Sequence, residues 1–211
     1  MKKITLSAIS LIFAMLMLAG CGAGYDVTLE KVKESDIAAL KSYSFEAIVE
    51  QDGTTISYSV VKSGDWLKYT KDGNVSYFNL SEKRLYSVNE PEKKIYYADI
   101  DEANIPNAAE VFLAFNELLA EENETKWKKT GTETLDGNEC EVYIGKSGLI
   151  DFSSATIYKL KGKSIYTKVF GKDASGKQLG LIHLKDMKID NVDESYAKIP
   201  DGYDIEKGEL Q

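Results

Sequence analysis

Two long stretches of this sequence, residues 44–98 and 126–189, alternate apolar and polar side chains with a period of two. Successive side chains of a β-strand point to opposite faces, so this period predicts strands that are buried on one face and wet on the other. Turn pairs such as Asp52-Gly53, Asp72-Gly73 and Asp136-Gly137 separate the strands, at a spacing of about eight to twelve residues. This rhythm predicts an antiparallel meander.

The period changes to that of a helix at two places. Residues 26–43 carry apolar side chains at helical spacing, with Ser35 as a candidate cap, and we expect at least Asp36 to Lys41 to be helical. The second helix, residues 107–123, begins with Asn107-Ala108-Ala109-Glu110, which fits a capping box. The predicted fold is therefore α+β, with one helix before the meander and another inserted between its halves.

The N-terminus has the layout of an export signal. Lys2 and Lys3 form a short positive region, residues 4–18 are uncharged and mostly apolar, and Leu18-Ala19-Gly20-Cys21 ends the segment. Small residues before a cysteine let a peptidase reach the backbone and leave a thiol for a diacylglycerol. The segment resembles a bacterial lipoprotein signal with its lipobox, which implies that Cys21 carries acyl chains such as palmitate.

The resemblance implies a signal peptide at residues 1–20, a lipidated cysteine and tether at 21–34, and a single domain at 35–211. An uncleaved transmembrane anchor is the alternative, and such a helix normally needs about 20 apolar residues. Because two acyl chains anchor a protein stably, the expected location is the extracytoplasmic face of the cell membrane. The lysine-rich composition favours a Gram-positive source. In a Gram-negative cell, Gly22 after the cysteine is compatible with delivery to the outer membrane.

The chain is acidic, with a net charge of −8, and loss of Lys2 and Lys3 with the signal makes the remainder more negative. This charge argues against binding to nucleic acid and against electrostatic docking on anionic lipid. The expected attachment to the membrane is therefore the diacylglycerol itself. We expect a monomer.

The residues that commonly carry catalysis are scarce. Cys140 stands between two acids and is predicted to be a small buried apolar residue, and His183 is the only histidine. A nucleophilic triad or a His/Cys metal site lacks partners, and the acids at 99–102 and 190–194 lack the spacing of a calcium loop. The sequence predicts a protein that is not an enzyme and uses no cofactor or metal.

Three local motifs resemble the lipoprotein-localisation carriers of the LolA and LolB type. They are Leu40-Lys41-Ser42-Tyr43-Ser44-Phe45, the hairpin from Gly131 to Cys140, and Ile199-Pro200-Asp201-Gly202-Tyr203. The resemblance implies that the meander curls into an unclosed half-barrel with helices packed in its concave face. The family's soluble carrier is not lipidated and is thought to use an internal arginine to hold its lid. Here the only arginine is Arg84, so we do not transfer that switch.

The apolar positions of the meander and the inserted helix are the candidate ligand site. They are Phe45, Val49, Ile56, Tyr58, Val60, Leu67, Tyr69, Val111, Phe112, Phe115, Leu118 and Leu119. They form either a packed core or a cavity for an acyl chain. The first hypothesis is a membrane-anchored, non-enzymatic lipoprotein that binds or transfers a lipid. The alternative is an envelope interaction or sensor module that uses its tyrosines and sheet surface to bind a protein or polymer.

Overall fold

The computed structural model describes residues 26–51, 53–101, 104–106, 110–119, 127–145 and 153–208. Its two helices are α1 (Glu34–Ala38) and α2 (Glu110–Leu119), with a 3-10 turn at Glu194–Tyr196. The strands are β1 (Asp26–Val27), β2 (Ser42–Gln51), β3 (Thr54–Ser63), β4 (Trp66–Lys71), β5 (Asn74–Asn79), β6 (Arg84–Asn89), β7 (Lys94–Asp99), β8 (Trp127–Leu135), β9 (Asn138–Gly145), β10 (Ser154–Leu160), β11 (Tyr166–Lys172), β12 (Gln178–Ile189) and β13 (Asp204–Lys207). Neither described helix has the length and apolar character that crossing a membrane requires.

The strands form one sheet in the order β1-β8-β9-β10-β11-β12-β2-β3-β4-β5-β6-β7-β13. Strands β2–β7 and β8–β12 are two antiparallel meanders, and they join where β12 pairs antiparallel with β2. The edge strand β13 runs parallel to β7. Since β1 and β13 end the strand order, the sheet is not closed within the described residues. The prediction of an unclosed, mostly antiparallel half-barrel with few helices is confirmed.

The segment before the sheet differs from the predicted helix. Helix α1 is shorter than expected and ends before Lys41, and Ser35 lies inside it rather than at its cap. Residues 28–33 form neither a helix nor a strand, and Leu29 and Val32 in this segment are buried. Tertiary packing therefore overrides the helical spacing, and packing against the sheet begins upstream of α1.

Helix α2 is the described part of the helix predicted at residues 107–123. The first three residues of the capping box and residues 120–123 lie outside the described part of the chain. Phe112 is fully buried and packs edge-on against Tyr43 and Phe45, with ring centroids 5.4 and 5.3 Å away. Edge-to-face packing at these distances is favourable, and it holds α2 against β2 on the concave face.

The chain after β12 crosses from the second meander to the far edge of the first. Val192 bonds to two serines that pair across β2 and β3: its N–H donates to Ser42 Oγ at 3.1 Å, and Ser63 Oγ donates to its carbonyl at 3.0 Å. Residues 199–203, which carry the closing motif of the family resemblance, then lead into β13. This crossover gives β13 its parallel orientation, because a parallel neighbour cannot be reached by a tight hairpin.

Candidate ligand site on the concave face

Helix α2 crosses several strands of the concave face. Phe112 packs on β2, and Phe115 stacks on Tyr166 of β11 with a centroid distance of 6.0 Å. At the other end of the helix, the pKa of Tyr58 on β3 is raised by burial, by Tyr69 and by Glu110. The helix therefore spans the junction between the two meanders.

A pair of hydrogen bonds connects α2 to the segment before α1, residues 28–33. The N–H of Val32 donates to Asn116 Oδ1, and Asn116 Nδ2 donates to the carbonyl of Val32, both at 2.7 Å. Nearby, the hydroxyl of Tyr166 donates to the carbonyl of Glu30 at 2.6 Å. The N-terminal segment is thus bonded both to α2 and to β11 at this end of the concave face. Asn116 was not among the predicted site residues. The signal that could have identified it is that its amide stands alone on the apolar face of the helix.

The residues predicted to line a cavity fall into three groups. Six are buried in the core: Phe45, Val60, Leu67, Val111, Phe112 and Phe115. Four concave-face positions are exposed or half-buried: Val49, Ile56, Tyr58 and Tyr69. Leu119 is half-buried against the core, and the side chain of Leu118 lies outside the described residues.

The positions that are not fully buried lie together beyond α2, toward the β2–β3 hairpin, where Ile56 is exposed and the others are half-buried. Ile182 of β12 pairs with Val49, and Val49 pairs with Ile56, whose side chain is 45% exposed. Tyr58 and Tyr69 follow on β3 and β4, with ring centroids 5.3 Å apart. We call these five residues the open strip. Ile182 was missed, although its alternation with His183 placed it on the same face as Leu184.

Two residues further along each strand, the side chains on the same face are fully buried. Ala47, Val60 and Leu184 are the next concave-face positions on β2, β3 and β12 after Val49, Tyr58 and Ile182, and each is at most 1% exposed. The change from exposed to buried follows the position of α2. The concave face therefore has a filled end beneath the helix and an open apolar end beyond it.

A cleft of about 560 Å³ lies at the tips of the β2–β3 and β11–β12 hairpins, and two of its lining residues, Glu50 and Thr55, are on the face of the sheet opposite Val49 and Ile56. It is lined by Glu50, Gly53, Thr55, Lys177, Gln178, Leu179 and Gly180. Gln178 Nε2 donates a hydrogen bond to Glu50 Oε2 at 3.1 Å.

A charged cluster lies on the second meander, on the face of the buried Tyr143. Glu141 Oε1 accepts a hydrogen bond from Lys129, and Glu141 Oε2 accepts one at 3.0 Å from the hydroxyl of Tyr143 and lies 4.0 Å from Lys159 Nζ. The hydrogen bond from Lys129 is the main cause of the lowered pKa of Glu141. Strand β9 is buried on both faces, at Val142 on one and at Tyr143 on the other.

Cys140 and His183 are held in separate polar contacts. His183 Nε2 lies 2.7 Å from Asp136 Oδ2, and Cys140 Sγ lies 3.8 Å from Thr167 Oγ1. Burial raises the pKa of the Cys140 thiol, which is fully buried as predicted. Among the described residues, no group of three His, Cys, Asp or Glu side chains is arranged to hold a metal ion.

No protein-family model matches the sequence, and neither does any curated protein. Solved structures with similar folds include an uncharacterised conserved protein of Thermus thermophilus, at 12% identity over 82% of this chain and 94% of that one, with a TM-score of 0.35. A LolA superfamily protein of Nitrosomonas europaea matches at 9% identity over 76% and 91% of the chains, with a TM-score of 0.30. MucB in the MucA/MucB complex of Pseudomonas aeruginosa matches at 11% identity over 75% of this chain and 56% of that one, with a TM-score of 0.41.

Proposed function

We propose that this protein is a non-enzymatic lipoprotein, anchored through Cys21 on the extracytoplasmic face of a membrane, that binds an acyl chain in the open strip. The observation that carries the proposal is the exposure of Ile56 on the concave face, beside the half-buried Val49 and Ile182. Burial of an apolar chain against these side chains is favourable at roughly 25 cal/mol per Å² of apolar surface removed from water.

The position of the ligand follows from what already fills the concave face. Phe112 and Phe115 occupy the space beneath α2, so an acyl chain binds beyond the helix and along the strip. Transfer of a larger ligand beneath α2 requires release of the Asn116–Val32 hydrogen bonds.

Native mass spectrometry with organic extraction tests this proposal. Residues 22–211 include every described element and are expressed without the signal and Cys21. We expect an acyl lipid to co-purify, and a dansyl-labelled undecanoic acid to compete for the same site. Ile56→Asp places a charge in the strip and is expected to abolish both signals while circular dichroism is unchanged.

Val75→Asp is the matched control, because Val75 is a strand residue that is 37% exposed on the opposite face of the sheet. It is expected to retain the lipid and the probe. A protein that carries no lipid and does not bind the probe contradicts the proposal. So does equal loss of binding in the two variants.

A second function, binding of a protein or an envelope polymer, is favoured by one feature of the outer face. Tyr77, Tyr86 and Tyr97 form a cross-strand row on β5, β6 and β7. Lys68 lies 5.5 Å from the ring of Tyr77, and the Arg84 guanidinium lies 4.5 Å from the ring of Tyr97. Crosslinking from Tyr77, compared between wild type and Tyr77→Ser, tests this alternative by recovery of a specific partner.

A further inference from the structure

A second row of side chains crosses the outer face of β8–β12. Lys128 pairs with Ile144, Ile144 with Thr156, Thr156 with Phe170, and Phe170 with Leu181. The core contains the immediate chain neighbours of these residues on three strands: Tyr143 on β9, Ile157 on β10 and Val169 on β11. The row therefore points away from the concave side. We call these five residues the outer strip.

The outer strip combines exposed apolar groups with cations. Ile144 is 43% exposed, and Phe170 and Leu181 are half-buried although no other described layer packs them into the core cluster. Lys168 and Lys172 place their ammonium groups 5.7 and 5.5 Å from the ring of Phe170. Apolar side chains flanked by lysines whose stems lie along them are suited to the boundary between lipid headgroups and acyl chains.

The polypeptide enters the fold at the end of this row. Strand β1 pairs with β8, and Asp26 lies directly across from Lys128. Cys21 precedes Asp26 by only a few residues, so an anchored Cys21 lies within about 17 Å of that strand, at roughly 3.4 Å per residue. An anchor at this place holds the outer strip close to the bilayer.

The overall negative charge of the chain opposes free association with anionic lipid. Tethering changes this balance, because it converts surface contact into an intramolecular event at high effective concentration. Local cations then act within the Debye length of about 8 Å at physiological salt. Lys168 and Lys172 flank the apolar part of the row, and acids stand at its two ends, Asp26 across from Lys128 and Glu50 across from Leu181.

From these features we infer that the outer strip rests on the surface of the anchoring membrane. This inference depends on the lipid anchor proposed above. Ile144 and Phe170 enter the headgroup boundary, and Lys128, Lys168 and Lys172 contact lipid phosphates. The concave side of β8–β12 consequently faces away from the bilayer.

Depth-dependent fluorescence quenching tests this orientation with the full lipidated chain. The protein is reconstituted into vesicles of phosphatidylcholine and phosphatidylglycerol with brominated acyl chains, with a tryptophan reporter introduced by Ile144→Trp. Val75→Trp is the matched control, at a similarly exposed strand position on the outer face of the other meander. The parent protein, with Trp66 and Trp127, supplies the background. We expect at least twofold quenching and a blue shift at position 144 and neither at 75.

The proposed contacts of Lys168 and Lys172 with lipid phosphates are tested in the Ile144→Trp protein. Lys168→Glu with Lys172→Glu is expected to reduce the quenching at least twofold, whereas Lys71→Glu with Lys188→Glu, at exposed sites on β4 and β12, leaves it unchanged. A nitrobenzoxadiazole label at Lys172→Cys, compared with Lys71→Cys, repeats the measurement without changing Ile144. Cys140 does not compete for the label because it is fully buried.

Three results would overturn the inference. Equal quenching at positions 144 and 75, or none at either position in a chain that floats with vesicles, contradicts the orientation alone. A chain that does not float, or floats equally well after Cys21→Ser, overturns the anchor and this inference with it. Loss of the position 144 signal on Ile56→Asp means that the reporter senses the concave ligand, which also contradicts a membrane contact.

Discussion

The side chain of Asn116 and the backbone of Val32 are joined by two hydrogen bonds in which each residue both donates and accepts, at 2.7 Å in each direction. Val32 lies in residues 28–33, the segment before α1. Asn116 lies in α2, the helix that covers part of the concave face. One amide therefore links the chain next to the proposed anchor with the cover of the proposed ligand site.

Removal of this link should destabilise the fold. Asn116→Leu replaces the amide with a larger apolar group that favours a helix more than asparagine does. It leaves the N–H and carbonyl of Val32 without these partners, and we expect a net loss of about 1–3 kcal/mol in the free energy of unfolding. Urea denaturation followed by circular dichroism measures the change. Asn74→Ala, at an exposed strand position, serves as the control and should have little effect. An Asn116→Leu protein as stable as wild type would show that water replaces both bonds.

The contact between Gly145 and Trp127 leaves no room for a side chain. A Cβ at residue 145 would lie 2.8 Å from Cε3 of Trp127, whose indole is 1% exposed and enclosed by the core. Gly145→Ala should therefore cost about 1–3 kcal/mol through overpacking. Gly131→Ala is the matched control, because a Cβ there meets no atom within 4 Å. Equal stability of the two variants in thermal denaturation would contradict the close approach.

Alkaline pH should weaken the core at Tyr43. Burial raises the pKa of Tyr43 to about 12, from its ordinary value of 10.0. The unfolded chain therefore releases this proton first, so the stabilisation is complete below pH 10 and is lost as the pH rises toward 12. At roughly 1.4 kcal/mol per pKa unit, the loss amounts to about 2–3 kcal/mol.

Tyr43→Phe keeps the ring contacts with Phe45 and Phe112 and removes the titrating hydroxyl. Unfolding free energies at pH 8 and pH 11 should therefore differ less in this variant than in wild type. Tyr196→Phe, at a ring that is 68% exposed, should behave as wild type. The same pH dependence in wild type and Tyr43→Phe would disprove the assignment.

The thiol of Cys140 should be unreactive in the folded protein. The thiol is fully buried, so reagents cannot reach it, and burial raises its pKa, so little of the reactive thiolate forms. Mass spectrometry after treatment with N-ethylmaleimide should detect modification only when urea is present. Rapid labelling under native conditions would indicate that the β8–β9 hairpin opens.

The strands were predictable because alternation and turn chemistry act over a few residues. Phe45, Val60 and Leu67 were assigned to the inner face from their spacing alone, and all three are buried. The segment at residues 28–33 was not predictable in the same way. Its apolar spacing fits a helix, but the residues that bond to its backbone, such as Asn116 and Tyr166, are distant in sequence.

The candidate site also combines features that the local sequence predicted with features that depend on distant contacts. The sequence assigned Phe112 and Ile56 to one apolar lining, whereas the structure buries the first completely and leaves the second 45% exposed. The difference arises from the place where α2 crosses the sheet, which depends on aromatic contacts with Tyr43, Phe45 and Tyr166. Side-chain spacing carries no information about where a helix ends along the strands beneath it.

By itself, then, the sequence determined which segments are strands, where they turn and which side chains share a face, because these properties depend on neighbours within a few residues. The tertiary structure alone decided that β12 pairs with β2, that β13 closes the far edge in parallel, and that the concave face is filled at one end and open at the other. These features depend on contacts between residues far apart in the chain, and such contacts form only when the whole sheet has curled around its helix.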